Sequence, residues 1–267
     1  LTEALGRIPS LYGSRGRPHE RELLRICGLA AVGALFERDP GRVERLFFEP
    51  RLRAEAGGFC AVQARARKPY REVDAAELAR VAGTLLHGGI AAIARPRPLD
   101  QFDPAAAPGW ARDGKPLLIL DGIGNPHNLG AIARTAAFFG IERMLLADRP
   151  DQALPSDASY RVAEGGLEYL TLYKAALAPA LAALRPLFRI VGTGPDPTAR
   201  PIEWRRDLPT ALILGNEERG LDPATRAACD DVATIPGSGR VQSLNVAVAA
   251  AILIYGMTRG GMTRGQS

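Results

Sequence analysis

Cysteine and histidine are scarce in this chain, three of each among 267 residues. Cys27, Cys60 and Cys229 lie far apart and form no Cys-x-x-Cys pair. That inventory argues against a metal site and a disulfide framework, and it fits a reducing cytoplasm. Long apolar runs are missing too. No charge-free stretch reaches the roughly 20 residues of a bilayer span, and the start lacks the basic–apolar–small order of a secretory leader. Nucleotide fingerprints are equally incomplete. There is no Gly-Lys-Ser/Thr for a P-loop, and Gly122-x-Gly124 is followed by His127 where a third glycine belongs. Gly192-x-Gly194 runs into Pro197, and Gly237-x-Gly239 into Gln242. A membrane protein and a dinucleotide-dependent oxidoreductase both fail on these absences.

What remains is an ordinary soluble composition, 46% hydrophobic and 24% charged, long enough for one large or two modest domains. The net charge of +5 is unevenly placed. Residues 1–100 hold 17 Lys and Arg against 12 Asp and Glu, whereas residues 101–267 hold 17 of each. An excess confined to the first part suggests that this part meets a polyanion. The bland alternative is an arginine-rich coding bias, since 31 of the 34 basic residues are arginine.

Residues 1–20 are rich in Arg, Gly, Ser and Pro and read as a flexible basic segment. Residues 21–97 read as a small α/β unit. Its expected elements are a helix over Arg21–Phe36, a strand in "RVERLFFEP", a strand and an Asp74-capped helix in "YREVDAAELARVAG", and a strand in "GGIAAIAR". The stretch Pro96–Pro116 carries five prolines and little periodicity, so residues 98–114 read as a linker. A second α/β pattern fills residues 115–257: "PLLILD", "RMLLA", "LFRIVGTG", "TALILG" and "DVATIP" as strands, with helices between. Asn128 is placed to cap a helix over Leu129–Phe139 that Gly140 ends. Strands apolar throughout, alternating with helices, predict a mostly parallel sheet covered on both faces. The end of the chain, Gly256–Ser267, contains Gly-Met-Thr-Arg-Gly twice, and the tail, residues 258–267, is expected to be disordered.

The stretch "IPGSGRVQSLNVAVAAAILIYG", Ile235 to Gly256, joins a polar glycine-bearing loop to a helix that is apolar on nearly every face. Such a helix belongs in a core or a membrane, and this one is too short to span. Two further segments, "DGIGNPHNLGAIART" and "GNEERGL", also leave strands through polar loops. Ligands gather at the carboxyl ends of strands in open α/β sheets, so all three loops are candidates for one site.

Three stretches, "NPHNLGAIARTAAFFG", "LILGNEERGL" and "IPGSGRVQSLNVAVAAAI", resemble the three ordered motifs of the SpoU (TrmH) family of RNA 2′-O-ribose methyltransferases, in the SPOUT superfamily. The resemblance covers about residues 115–257. More loosely, "ICGLAAVGALF" and "HGGIAAI" resemble pieces of the small RNA-binding domain, related to ribosomal proteins, that many members carry in front. The resemblance implies a parallel sheet with a trefoil knot, its last helix threaded through a loop. Knots are exceptions to the ordinary rules of chain connection. It also implies a homodimer with the site near the subunit interface, a pocket for S-adenosylmethionine, and transfer or ribosomal RNA as substrate.

Carried onto this sequence, the motifs imply a catalytic set of Asn128, Arg134, Glu217, Ser243 and Asn245. Arg134 is sometimes assigned the role of general base in the family; guanidinium holds its proton to a pKa above about 12, so stabilising a forming alkoxide or gripping a phosphate suits it better. Glu217 is expected to orient it. Ser243 reads as the cap of the last helix. Asn245 reads as an amide within an apolar helix, where a buried amide needs partners. Gly215, Ile235 and Leu244 are the leading cofactor contacts, followed by Asn216, Thr193 and Gly194. His127 reads as structural and His87 as a possible RNA contact. The chain departs from the family pattern at Glu218 and Ala163, where members often have glycine, or in "VAEGGLE", where a Ser-x-Gly-Ala run is common. A catalytically silent RNA-binding or ribosome-assembly protein keeping the same fold is the competing reading; binding of the methyl donor separates the two.

Overall fold

The structure, a computed structural model, describes residues 23–194, 204 and 207–259. The expected flexible segment 1–20 and the tail from residue 260 onward lie outside the described residues.

The front unit runs β1 (Leu24–Cys27), α1 (Leu29–Arg38), β2 (Val43–Phe48), α2 (Arg53–Arg65), β3 (Tyr70–Glu72), α3 (Ala75–Ala82) and β4 (Ile90–Ala94). Its sheet order is β1-β4-β2-β3, antiparallel except for the parallel β2–β3 pair. Where the helix expected over Arg21–Phe36 falls within the described residues, the chain forms a strand followed by a helix. Gly28, at φ 92 and ψ 144, interrupts the helical spacing with a backbone conformation essentially reserved for glycine. Leu24–Cys27 then extends along β4, burying Ile26. The Asp74 cap is present, its side chain accepting from the Glu77 amide at 2.7 Å. Helix α2 was invisible in the sequence because it has little apolar stripe, burying only Ala56 and Gln63.

The second unit adds β5 (Asp100–Gln101), α4 (Ala107–Arg112), β6 (Leu117–Asp121), α5 (Pro126–Phe138), β7 (Arg143–Ala147), α6 (Asp157–Ala163), β8 (Thr171–Ala175) and α7 (Leu177–Leu184). It continues with β9 (Arg189–Thr193), β10 (Thr210–Gly215), α8 (Pro223–Ala227), β11 (Asp231–Ala233) and α9 (Val246–Arg259). The seven strands lie in the order β11-β9-β10-β6-β7-β8-β5, and every pairing is parallel. All residues of β6 and β10 are buried, as a two-faced sheet requires. Side chains alternate between two cores: Leu118, Leu120, Leu212 and Leu214 face one, Leu117, Ile119, Ala211 and Ile213 the other. Strand order reverses between β6 and β10, so the loops after these two strands open side by side.

The segment 98–114 connects the units and folds as it does so. Strand β5 pairs with β8, and buried Trp110 packs against Phe102 and Tyr173 at centroid separations of 5.3 and 5.0 Å. Helix α6 and strand β8 lie in the polar segment after "RMLLA" that holds Gly165-Gly166, for which the sequence predicts no particular element. Between the units sits a buried ion cluster. Glu168, 0% exposed, pairs with Arg42 at 2.8 Å and with Arg97 at 2.9 Å, and Arg42 also donates to the Tyr160 hydroxyl at 3.3 Å. Burial alone would lower the Arg42 pKa, but Tyr160 and Glu168 outweigh it and hold it above the ordinary value.

The last helix corrects another expectation. Apolar nearly all round, α9 buries only Ala250, Leu253, Ile254 and Met257. Val248, Ile252 and Tyr255 stay exposed, as does Leu244 just before the helix. The helix also runs through Thr258 to Arg259, into the expected tail.

Candidate active site

The site is built where the loops after β6 and β10 and the entry to α9 meet. Helix α5 begins at Pro126 and is capped by Asn125, whose side chain accepts from the His127 amide at 2.8 Å. The cap expected at Asn128 thus lies three residues earlier. Pro126 suits the first helical position, where its missing N–H costs nothing, and the helix starts there. Asn128 is therefore free for other work: it donates from Nδ2 to Glu217 Oε1 at 2.7 Å. Its Oδ1 accepts from Asn245 Nδ2 at 3.1 Å. One residue from each of the three motif segments is joined in a line.

Asn245 takes the capping role expected of Ser243. Its Oδ1 accepts from the Ala247 amide at 2.9 Å and from the Val248 amide at 3.4 Å, so one side chain starts α9 and meets Asn128. It is exposed rather than buried in the helix. Asn216 stitches the β10 loop: Nδ2 donates to the Gly122 carbonyl at 2.7 Å, and Oδ1 accepts from the amides of Glu218 and Arg219 at 3.0 and 3.1 Å. A methyl group on Gly215 would stand 2.5 Å from the Gly220 carbonyl carbon, so this turn closes only over a glycine.

Beside this line lies a pocket of about 280 Å³. All six expected cofactor contacts border it, namely Thr193, Gly194, Gly215, Asn216, Ile235 and Leu244, as do Glu217 and Ser243. Its walls combine apolar side chains such as Leu253 and Val246 with main chain from the strand ends.

Arg134 stands elsewhere. Six residues along an α-helix turn through about 600°, which places it roughly 120° around α5 from Asn128. Its guanidinium pairs with Glu164 at 2.9 Å, both side chains half exposed, so the partner expected in Glu217 is instead Glu164. Ala163 is a buried core residue ending α6, and Glu218 an exposed residue of the β10 loop. His127 is exposed at the helix start. His87 is buried, and its Nδ1 accepts from the Gly89 amide at 3.1 Å; locked into its own loop, it is poorly placed to touch RNA.

Sequence reasoning missed Gln152. It is buried and accepts from the Gly122 and Ile123 amides at 3.0 and 3.2 Å, fixing the turn after β6. Nothing local marks it, since its partners lie about 30 residues away. Asp121, also buried, holds Arg149 at 2.9 Å and the Asp222 amide at 3.0 Å. The thiols offer no nucleophile near neutral pH: burial pushes Cys27 and Cys229 up to about 11. Among the described residues no His, Cys, Asp and Glu group is arranged to hold a metal ion, and no helix is long and apolar enough to cross a membrane.

Residues 115–255 match the SpoU rRNA Methylase family, and residues 25–99 match the RNA 2′-O ribose methyltransferase substrate binding domain. The chain belongs to the SpoU rRNA methylase family. Within it, the chain is 33% identical over 245 residues to a 23S rRNA (guanosine-2′-O-)-methyltransferase RlmB from Burkholderia, covering 90% of this chain and 97% of that one. It is 35% identical to the protein of the same name from Acinetobacter baylyi, covering 85% and 94%. Its fold matches the crystal structure of an AdoMet-bound rRNA methyltransferase from Sinorhizobium meliloti with a TM-score of 0.74, at 22% identity over 92% of this chain and 90% of the other. The SPOUT-type α/β class with a smaller front domain is thereby established for this SpoU protein.

Proposed function

We propose that this SpoU protein methylates a ribose 2′-hydroxyl of ribosomal RNA, using S-adenosylmethionine. The observation that carries the reading is the hydrogen-bonded line Glu217–Asn128–Asn245, which joins all three motif segments beside one pocket that Glu217 itself borders. A ligand with a flat apolar base and a polar ribose suits a pocket of apolar side chains interleaved with strand-end main chain. Gly215, Ile235 and Leu244 would hold the adenosyl part, with Asn216, Thr193 and Gly194 beside them. When bound, the cofactor supplies an activated methyl group.

The remaining chemistry belongs to the chain. Displacement at a methyl carbon needs the attacking oxygen in line, and holding the ribose in register supplies much of the acceleration. Glu217, Asn128 and Asn245 present fixed acceptors and donors for that purpose, with Ser243 next to them. Negative charge grows on the ribose oxygen, and the Arg134 guanidinium, which stands outside the pocket beside Glu164, would stabilise it or the flanking phosphate where the bound RNA passes it. The front unit, matching a substrate-binding domain and carrying the net positive charge, would grip the RNA.

The same reading includes a cytoplasmic homodimer with the site near the interface. The uncovered apolar stripe Val248, Ile252 and Tyr255, next to Phe138 at 81% exposure, is a surface that a second copy would cover. It also includes threading of the last helix through a loop to form the trefoil knot.

Mapping ribose methylation in cellular RNA with and without the gene tests the reading. Loss of one 2′-O-methyl mark in 23S rRNA is expected, together with calorimetric binding of S-adenosylmethionine. A protein that binds RNA but not the methyl donor, and removes no mark, is the silent relative instead.

A further inference from the structure

The turn after α6, Glu164-Gly165-Gly166-Leu167-Glu168, lies outside the pocket yet meets Arg134 twice. Glu164 Oε2 pairs with Arg134 Nη2 at 2.9 Å. Gly166 presses on the arginine's main chain so closely that a methyl group there would come within 2.8 Å of the Arg134 Cα. Backbone and side chain of this arginine are thus set by one five-residue turn.

The other side of the turn is clamped by the front unit. Glu168 is buried between Arg42 and Arg97, and a methyl group on Gly165 would stand 2.9 Å from Ala34 Cβ of α1. The turn therefore joins the unit that would grip RNA to the arginine of the first motif.

Glu164 itself is held in an unusual state. It adopts φ 44 and ψ 44, and among the described residues only it and Arg67 are non-glycine residues with positive φ. Glycine takes this conformation without strain, and glycines occupy the next two positions. The chain instead keeps a carboxylate here. A half-exposed pair contributes little to stability, so its worth lies in direction. With Nη2 engaged by Glu164, the planar guanidinium still has N–H groups for an oxygen acceptor on RNA.

We propose that Glu164 is a positioning residue for Arg134: anchored through the turn to the front unit, it fixes the direction of the guanidinium before RNA arrives. This rests on the methyltransferase reading above. It differs from a brake, in which the carboxylate would withhold the arginine until RNA displaced it.

The test is steady-state methyl transfer to deproteinised 23S rRNA by the full chain. Two variants are compared, Glu164→Gln, which keeps the side-chain shape, and Glu164→Gly, which keeps the left-handed backbone without strain. Both should lower kcat about five- to twenty-fold, with KM for RNA within about twofold of wild type, because preorganisation is lost and binding is not. The Glu164→Gly protein should melt at or above the wild-type temperature, which removes partial unfolding as the cause. An unchanged kcat in either variant, a change confined to KM, or a raised kcat overturns the proposal. A wild type that transfers no methyl group removes the functional reading and this one with it; an active wild type with unaffected variants removes this one alone.

Discussion

Asn128 donates a 2.7 Å hydrogen bond to Glu217 across 89 positions of sequence, joining the first turn of α5, which follows β6, to the loop after the neighbouring parallel strand β10. The bond orients the amide so that its oxygen is turned to Asn245. Replacing Asn128 with alanine should therefore uncouple all three motif segments at once. Methyl transfer to 23S rRNA should fall by about tenfold or more. The melting temperature should move little, since both bonds lie at an exposed rim. A variant that keeps wild-type turnover would show the line to be scaffolding only.

Arg134 provides the sharper chemical test. A lysine keeps the charge but loses the fork that can grip Glu164 and a substrate oxygen together. Arg134→Lys should lose about 100-fold in kcat, a typical cost for removing a donor aimed at developing negative charge. Near-full activity in single-turnover assays would mean that any cation suffices.

Gly215 predicts an effect on cofactor binding. Alanine there meets the Gly220 and Leu221 backbone at 2.5 and 2.6 Å, and main chain cannot step aside as a flexible side chain can. The β10 turn must open, disturbing the pocket that Gly215 and Asn216 border. Gly215→Ala should weaken S-adenosylmethionine binding by calorimetry about tenfold or more, and cost about 1–3 kcal/mol in denaturant unfolding. Unaltered affinity would place the ligand elsewhere.

Much of this fold was legible in the sequence. The apolar runs at Leu117–Asp121, Arg143–Ala147 and Thr210–Gly215 are parallel strands buried on both faces, and short buried runs have few alternatives in an α/β pattern. The same logic failed for Leu24–Cys27, where helical spacing continued across Gly28 although the chain there could not. It failed for α6 and β8 because their short, mixed stretches draw on tertiary partners, such as the Asp157 carboxylate that accepts from the Arg25 amide at 2.8 Å. At the site, the loop residues were visible by their motifs but their pairings were not. Asn125 and Asn245 are the caps, and Glu164 rather than Glu217 meets Arg134. Pairing is a property of geometry across the chain, which spacing along it does not carry.

Cys27 gives the fold a dependence on alkaline pH. Burial is the main cause that lifts its pKa from 9.0 to about 11, with Asp157 adding to it. Between those values the unfolded chain sheds the thiol proton while the folded protein keeps it, so the folded state binds more protons and stability falls as pH rises. Up to about 2–3 kcal/mol is lost by pH 11 from this group, and little below pH 9. Urea unfolding of wild type and Cys27→Ala at pH 8 and pH 10.5 measures it. The variant should show a shallower decline, and parallel declines would assign the effect to other groups.

The exposed side of α9 leads to the last prediction. Val248, Ile252 and Tyr255 are 50%, 45% and 49% exposed, on a helix whose other side enters the core through Ala250 and Ile254. Tyr255 packs edge-on against Phe139 at 6.0 Å, so the stripe continues onto the C-terminal cap of α5, the helix that carries Asn128 and Arg134. If a second copy covers this stripe, a charge at its centre is buried without a partner and association fails. Ile252→Asp should convert a dimer, measured by light scattering, into a monomer that remains folded by circular dichroism. Because the covered surface reaches α5, the monomer should also lose methyl transfer. A monomeric wild type would overturn the dimer, and a monomeric variant with full activity would separate the interface from the site.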